Sequence, residues 1–228
     1  MELLPENELI WSPVVANNRM NRKRIASGVN SYEKELKFNP EAFLNNQLAN
    51  NNIVKWLDLC CGEGNALLQY ANTLAAQKMQ QHFELKGIDL VDQFQPIPPT
   101  IKCVKFEVMP LVQWTSSEQY NLITCVHGIH YVGDKLKVLG TALKSLANKG
   151  ILLMNIDLKS IKVHNDPDNL FLKQCLSEQQ IDYNSRRKIL YCEGPRDLVL
   201  NLTYLGANDK AGPNYTGQEA VDSYYVSG

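Results

Sequence analysis

A doubly wound α/β fold is predicted by three observations: near-continuous apolar strand segments, helical segments between them, and two further strand segments after residue 180. Strands that are apolar throughout are typical of a parallel sheet covered by helices on both faces. The last two strand segments are joined by the short stretch Gly194 to Asp197, and so short a connection joins antiparallel neighbours. We therefore expect a mostly parallel seven-stranded sheet with one antiparallel strand at its end, helices on both faces and an N-terminal helical cap.

The predicted strands follow apolar and β-branched runs of the sequence. In chain order they cover residues 54–60, 83–90, 101–108, 120–126, 151–158, 186–193 and 198–205. One helix is predicted after the first strand, with Leu67 to Met79 on its buried face. A second helix follows the fourth strand, with Asp134 as its N-cap and Gly150 as a left-handed stop. A third is predicted over residues 166–180.

The two ends of the chain differ from the centre in composition. Residues 1–49 are polar and contain proline breakers, and we interpret them as a helical cap in which Ser31 begins one helix and Pro40 a second. Residues 50–206 form the main domain, and residues 207–228 are expected to be an irregular tail. A basic patch, formed by Arg19, Arg22, Lys23 and Arg24, is interpreted as a solvated face.

Composition limits the classes of partner. The formal net charge of the 228 residues is -1, so a small-molecule partner is expected rather than nucleic acid. No signal peptide and no membrane span is visible, so we expect a cytoplasmic protein without a membrane partner. The six cysteines show no zinc spacing and no acidic cluster has metal spacing, so we expect reduced thiols and no metal. The oligomeric state stays open.

The most informative segment runs from Val54 to Ala66. It predicts a buried strand containing Asp58, a turn containing Gly62 and Gly64, and then a helix. Such a unit brings bare backbone close to a ligand at a helix N-terminus. A second strand ends at Asp89, at the spacing where nucleoside-binding folds hold ribose hydroxyls. The sequence therefore predicts a nucleoside cofactor.

These segments resemble the class I (Rossmann-like) S-adenosylmethionine (SAM) dependent methyltransferases over about residues 50 to 206. The family's first motif, an acidic residue followed by a G-x-G-x-G turn, is present except that Cys60 replaces the first glycine. By resemblance, Asp89 holds the ribose hydroxyls and Glu107 faces the adenine amino group. The cofactor is expected to be SAM, with S-adenosylhomocysteine (SAH) as product. The expected cofactor-binding residues are Asp58, Cys60, Gly62, Gly64, Asp89, Leu90, Glu107, Val108 and Val126.

Dinucleotide-binding dehydrogenases are the nearest competing class. Their turn requires G-x-G-x-x-G, and aligning Gly62 and Gly64 with its first two glycines places Leu67 where the third must be. A leucine there would obstruct helix–strand packing. Asp58 within the first strand also has no role in that class, so the sequence favours SAM.

The acceptor half of the site is predicted from the end of the fourth strand. His127 and His130 are the expected catalytic bases, because ligands bind at the carboxyl ends of strands in open α/β sheets. Tyr32 of the cap and Tyr131 are the expected substrate-binding residues.

The methyl acceptor itself is less determined. The [DNS]-P-P-[YFW] motif of enzymes that methylate nucleobase amines or glutamine is missing after the fourth strand. The sequence therefore favours O- or N-methylation of a small molecule, in a biosynthetic pathway. A peptide or protein substrate and a non-catalytic SAM-binding regulatory subunit are the alternatives.

Overall fold

The structure is a computed structural model that describes residues 2–16 and 23–228. Its helices are α1 (Glu6–Leu9), α2 (Pro13–Ala16), α3 (Tyr32–Leu36), α4 (Pro40–Gln47), α5 (Asn65–Ala76), α6 (Lys135–Lys144) and α7 (Leu170–Glu178). Its strands are β1 (Val54–Leu59), β2 (Phe83–Asp89), β3 (Val104–Val108), β4 (Tyr120–Cys125), β5 (Leu146–Asn155), β6 (Ile161–Val163), β7 (Asp182–Asn184), β8 (Ile189–Glu193), β9 (Leu202–Asn208) and β10 (Asp222–Ser227).

The main sheet has seven strands in the order β3-β2-β1-β4-β5-β8-β7. The first five of these strands are mutually parallel, whereas β8 runs antiparallel to both β5 and β7. The predicted fold class, a mostly parallel seven-stranded sheet with one antiparallel strand near its end, is confirmed. From β1, the strands β2 and β3 are added on one side of the sheet, and β4 and β5 are added on the other side. Open α/β sheets bind ligands at such a switch point, beyond the carboxyl ends of the strands.

Helices cover both faces of this sheet, and β1 shows why its sequence is apolar throughout. Leu57 and Leu59 pack in one buried cluster with α6 and α7, while Val54 and Trp56 pack in a second cluster with α3, α4 and α5. Successive side chains of a strand point to opposite faces. A central strand therefore needs apolar residues at every position, which leaves Asp58 as the exception that requires an explanation.

The prediction for the helix before β5 was wrong at its end. The helix α6 ends at Lys144, and Gly150 lies inside β5 without a positive φ. A Cβ atom at position 150 would clash with the carbonyl oxygen of Tyr120 on the neighbouring strand. Gly150 is thus required for close approach of two strands and is not a left-handed helix stop.

The predicted terminal hairpin was also wrong in its pairing. The strand β8 pairs with β7, which precedes it, and not with the segment after Pro195. Gly194 instead donates its N–H to the carbonyl of Gly150, and Arg196 donates to that of Leu143, so the chain turns onto α6. The strand after this turn, β9, belongs to a second sheet of order β6-β10-β9.

The C-terminal tail, predicted to be irregular, contains the strand β10 in the middle of that second sheet. Its anchor is the buried ammonium of Lys135, which donates to the carbonyls of Val132 and Val221 and to the hydroxyl of Ser223, each at 2.8 Å. Burial lowers the pKa of Lys135 to about 7. The sequence carries no local signal for this strand, because its partners lie far away in the chain.

The N-terminal segment contains the predicted cap helices. Ser31 accepts a hydrogen bond from the N–H of Lys34 and confirms the predicted N-cap of α3. Leu4 forms a backbone bridge to Ala207, so the start of the cap rests on the second sheet. Arg19 and Arg22 of the basic patch lie outside the described residues. None of the helices in the described part of the chain is long and apolar enough to cross a bilayer.

Candidate functional site

The turn between β1 and α5 carries three residues with left-handed backbone. Cys60, Gly62 and Gly64 have φ of 54°, 61° and 76°, a region that only glycine occupies without strain. Gly64 is required for a second reason, because a Cβ atom there would clash with the ring of Phe106. The turn therefore brings backbone without side chains to the start of a helix, as the sequence predicts, while the N–H groups of Cys61, Gly62 and Gly64 donate within the protein.

Asp89 connects the end of β2 to this turn. Its Oδ2 accepts the N–H of Gly62 at 2.8 Å, and its Oδ1 accepts the N–H of Val91 at 3.2 Å. Both oxygens of this carboxylate are acceptors, and the residue lines a cavity. The arrangement fits the ribose role that the family resemblance implies for Asp89.

A cavity of about 920 Å³ opens beside Asp89 at the carboxyl ends of the strands. Its wall is formed by the cap, by the glycine turn, and by the segments after β2, β3 and β4. The lining residues are Glu6, Leu9, Ile10, Val15, Arg24, Tyr32, Cys60, Cys61, Gly62, Asp89, Leu90, Val91, Met109, Pro110, Leu111, Val126, Gly128, Tyr131 and Val132.

The predicted site residues divide into two groups. Those that line the cavity are Cys60, Gly62, Asp89, Leu90, Val126, Tyr32 and Tyr131. Those that lie elsewhere are Asp58, Gly64, Glu107, Val108, His127 and His130. The second group includes both predicted catalytic residues.

Asp58 is fully buried and acts behind the cavity wall. The hydroxyl of Tyr32 donates to its Oδ2 at 2.7 Å, and that of Thr124 donates to its Oδ1 at 2.6 Å. The indole N–H of Trp56 donates in turn to Thr124. Burial raises the pKa of the Asp58 carboxyl to about 7, although the two hydrogen bonds favour the ionised form. Asp58 thus holds Tyr32 in the cavity wall rather than facing the cavity itself.

Glu107 and Val108 point away from the cavity. Glu107 forms an ion pair with Lys86 of β2 at 2.5 Å, and the side chain of Val108 is half exposed. The cavity is lined instead by Met109, Pro110 and Leu111, which follow them. The side chains of Glu107 and Val108, at the end of β3, point to the faces of the sheet. The loop that follows β3 crosses the edge of the sheet at which the cavity opens, so its residues line the cavity.

His127 connects the cap to the C-terminal tail. Its Nε2 lies 3.2 Å from Glu35 of α3, and its Nδ1 lies 3.2 Å from the hydroxyl of Tyr215. Glu35 also pairs with Arg24 at 3.2 Å. Contact with His127, aided by Arg24, lowers the pKa of the Glu35 carboxyl to about 2. Both ring nitrogens of His127 are therefore engaged in joining three segments of the chain.

His130 is fully buried, and neither of its ring nitrogens has a hydrogen-bond partner among the described residues. Burial is the main cause that lowers its pKa to about 3, and the charge of Lys135 contributes. The ring is neutral at physiological pH and packs edge-on against Tyr215. The catalytic role of the two histidines stays a prediction, and neither ring lines the cavity.

Cys60 and Gly128 face each other across the cavity wall. A Cβ atom at Gly128 would clash with the Cβ atom of Cys60. The volume added by Cys60 is thus matched by the missing side chain at Gly128. Cys60 tolerates its left-handed backbone and remains compatible with the turn.

Sequence reasoning missed two charged residues of the cavity, Glu6 and Arg24. Arg24 lay within the basic patch interpreted as a solvated face, but its side chain is largely buried and paired with Glu35. Glu6 carries no motif. Both residues come from the cap, whose position over the sheet is set by contacts with distant parts of the chain.

The class of protein follows from this fold and site together with the family comparison. Residues 20–190 match the sequence model of a family described as a methyltransferase domain, which is well over half of the chain. The chain belongs to this methyltransferase domain family. The resemblance to the class I SAM-dependent methyltransferases is thereby confirmed, and SAM is the cofactor of that family.

Solved structures with similarity include YjhP from E. coli, at 18% identity and a TM-score of 0.40, covering 62% of this chain and 54% of that one. A SAM-dependent methyltransferase from Thiobacillus denitrificans in complex with SAH has 25% identity and a TM-score of 0.38, covering 51% and 48%. The plantazolicin methyltransferase BpumL has 18% identity and a TM-score of 0.40, covering 65% and 51%. The matched part of this chain spans about half the length of each of these structures. The comparison with curated proteins gives no match.

Proposed function

We propose that this chain transfers a methyl group from SAM to an O or N atom of a small molecule, in a biosynthetic pathway. The observation that carries the proposal is the contact between Asp89 and the N–H of Gly62 at the wall of the 920 Å³ cavity. This contact joins the two segments that the family uses for the nucleoside. It places the Asp89 carboxylate in the cavity wall, where the family resemblance implies the ribose hydroxyls.

A small-molecule acceptor is supported by the cover over the cavity. Glu6, Leu9 and Val15 of the first two helices line it, as do Arg24 and Tyr32. A cavity closed by a cap excludes water and suits a ligand that enters it whole. The proposed division of the chain follows from this arrangement, with residues 1–49 as the acceptor-covering cap, residues 50–206 as the SAM-binding domain, and residues 207–228 as a tail.

The residues in place fit SAM. The turn at Gly62 would bring bare backbone close to the cofactor, Asp89 would hold the ribose hydroxyls, and Leu90 and Val126 would supply apolar wall. When bound, SAM supplies a methyl group on a positively charged sulfur. The protein's contribution is to orient the acceptor and to exclude water, and orientation alone is worth about 7–11 kcal/mol in well-aligned systems.

Calorimetric titration with SAM tests the proposal, with Asp89→Asn as the diagnostic variant. Asparagine keeps an oxygen for the N–H of Gly62 but removes the charge and one acceptor oxygen, so we expect at least a tenfold weaker affinity for SAM. Asp92→Asn is the matched control, because Asp92 is an exposed carboxylate three residues away that should not affect binding. Unmeasurable SAM binding by the wild type, or unchanged affinity in Asp89→Asn, would contradict the proposal.

A further inference from the structure

One carboxylate in the cavity, Glu6, lies outside the turn and the strand end to which the family resemblance assigns the cofactor. Glu6 is the first residue of α1, and it lines the cavity together with Tyr131 and Val132, which follow β4. Asp89, the other cavity carboxylate, belongs to the glycine turn. Glu6 therefore belongs to the part of the wall where the acceptor is expected.

The carboxylate of Glu6 is held in one orientation. Its Oε1 accepts the N–H of Gly133 at 3.2 Å, and its Oε2 accepts the hydroxyl of Tyr204 at 3.1 Å. A Cβ atom at Gly133 would clash with Glu6 Oε2, so the glycine makes room for the carboxylate. Three distant segments thus converge to place this single charge.

The charge of Glu6 is not neutralised by a direct partner. Among residues 2–16 and 23–228, no lysine, arginine or histidine forms an ion pair with it. Burial raises the pKa of its carboxyl and the nearby Asp134 acts in the same direction, while the hydrogen bonds from Tyr204 and Gly133 lower it. Lys135 is near enough to interact electrostatically, but its three hydrogen bonds go to other oxygens. A carboxylate in this position favours a ligand that supplies a positive charge or an N–H group.

The wall around Glu6 is otherwise apolar. Leu9 and Ile10 flank it on the cap, and Leu111 and Val132 belong to the opposite loops. Such a wall favours a hydrophobic ligand body, and a few placed polar groups then fix its orientation. The cavity therefore combines a largely apolar lining with three charged residues, and of these Arg24 pairs with Glu35 and Asp89 contacts Gly62, whereas Glu6 lies beside the residues that follow β4.

We propose that Glu6 binds the methyl acceptor through a protonated or N–H nitrogen, so that the acceptor is an amine with an apolar body. The inference rests on the proposed function and narrows it from any small O- or N-acceptor to a nitrogen-bearing one. Glu6 is a specificity-determining residue in this assignment. The nitrogen that it recognises and the atom that is methylated can be different atoms of the same molecule.

The test uses amine and alcohol pairs that share one skeleton. Tryptamine with tryptophol, and phenethylamine with 2-phenylethanol, are titrated calorimetrically into the full-length protein, with and without SAH. We expect at least one amine to bind tenfold or more tightly than its alcohol, and this preference to disappear in Glu6→Gln. Glutamine keeps an oxygen for Gly133 or Tyr204 but loses the charge. Amines that bind no more tightly than their alcohols would overturn the proposal.

Two controls keep the result specific. Glu8→Gln removes an exposed carboxylate from the same helix, and this variant should keep the amine preference. An amine preference that survives in Glu6→Gln would overturn the proposal. Thermal unfolding of Glu6→Gln shows whether the variant is folded. If it is not, Tyr204→Phe removes only one of the two hydrogen bonds to the carboxylate, and it should weaken amine binding by several-fold.

Failure of this inference is distinguishable from failure of the proposed function. We expect Glu6→Gln to bind SAM with wild-type affinity, because Glu6 does not contact the glycine turn. Loss of SAM binding by the wild type would reject the methyltransferase assignment, while the titrations without SAH still report on amine recognition. SAM binding without amine preference would reject the role of Glu6 alone.

Discussion

The two halves of the cavity are built in different ways. In the cofactor half, the contact between Asp89 and Gly62 joins residues 27 apart in sequence, one at the end of β2 and the other in the turn that follows the adjacent strand β1. In the acceptor half, Glu6 is held by Gly133 and Tyr204, which lie 127 and 198 residues away. The cofactor half is assembled from one strand–turn–helix unit and the next strand, so its residues can be predicted from the sequence. The acceptor half is assembled from residues far apart in the chain, so its residues can be identified only in the folded structure.

The largest effect that we expect from a single change is in the cofactor half, at Gly64. Gly64→Ala imposes a left-handed alanine, at about 1–2 kcal/mol, and a clash with Phe106, at about 1–3 kcal/mol. We expect the free energy of unfolding in urea to fall by about 2–5 kcal/mol.

The control for Gly64→Ala is Gly217→Ala, in the tail. Gly217 has nearly the same φ, 79° against 76°, but no atom lies near the position of the added methyl group. We expect it to lose only the backbone contribution of about 1–2 kcal/mol. Equal losses in the two variants would mean that Phe106 does not restrict the turn.

The second expected effect is intermediate in size and concerns the pH dependence of stability that arises from Asp58, behind the cavity wall. Its pKa is raised from 3.8 to about 7, so between these pH values the folded state keeps a proton that the unfolded state has lost. The stability of the wild type should therefore fall as pH rises through this window. Asp58→Asn should lack this decline, as measured by thermal unfolding at pH 5 and pH 8.

Asp92→Asn serves as the reference for the pH experiment, because Asp92 is exposed. We expect this variant to follow the wild-type decline. A wild type and an Asp58→Asn variant with the same pH dependence would show that Asp58 is ionised throughout, stabilised by Tyr32 and Thr124.

The smallest expected effect on activity is in the acceptor half, at His130. Because its ring is buried, unpartnered and outside the cavity, His130→Phe should keep methyl transfer within about threefold of the wild type. Its pKa is lowered from 6.5 to about 3, so wild-type stability is lost as pH falls through this window. Melting curves at pH 7 and pH 5 should show His130→Phe gaining relative stability at the lower pH. Loss of activity with an intact fold would restore His130 as a catalytic candidate.

The parts of the fold that the sequence predicts are those with local patterns. The apolar runs at β1, β2 and β4 locate the central strands within one or two residues, because both faces of these strands are buried. Gly150 was misread because glycine serves equally as a helix stop and as a site of close strand approach. The pairing of β8 was misread because the chain after it turns onto α6, where Arg196 donates to the carbonyl of Leu143, and this is a tertiary contact.

The residues of the candidate site also differ in whether a local sequence pattern predicts them. Gly62 and Asp89 could be located because a turn with bare backbone and a strand-end acid have fixed spacings. The adenine role of Glu107 stays a prediction, because the residue type matches the family while the side chain forms an ion pair with Lys86. Glu6 could not be found at all, since its importance depends on Tyr204 at the other end of the chain.

The tail strand β10 has a consequence for the order in which the protein is made. Tyr215 contacts His127, Val221 donates its N–H to the carbonyl of His130, and Ser223 receives a hydrogen bond from Lys135. These partners are synthesised about 90 residues before the tail that fixes them. A nascent chain that has released β1 to β5 from the ribosome already contains every strand around the glycine turn. The acceptor half, in contrast, is completed only after Tyr204 and the tail residues up to Ser223 have also been translated.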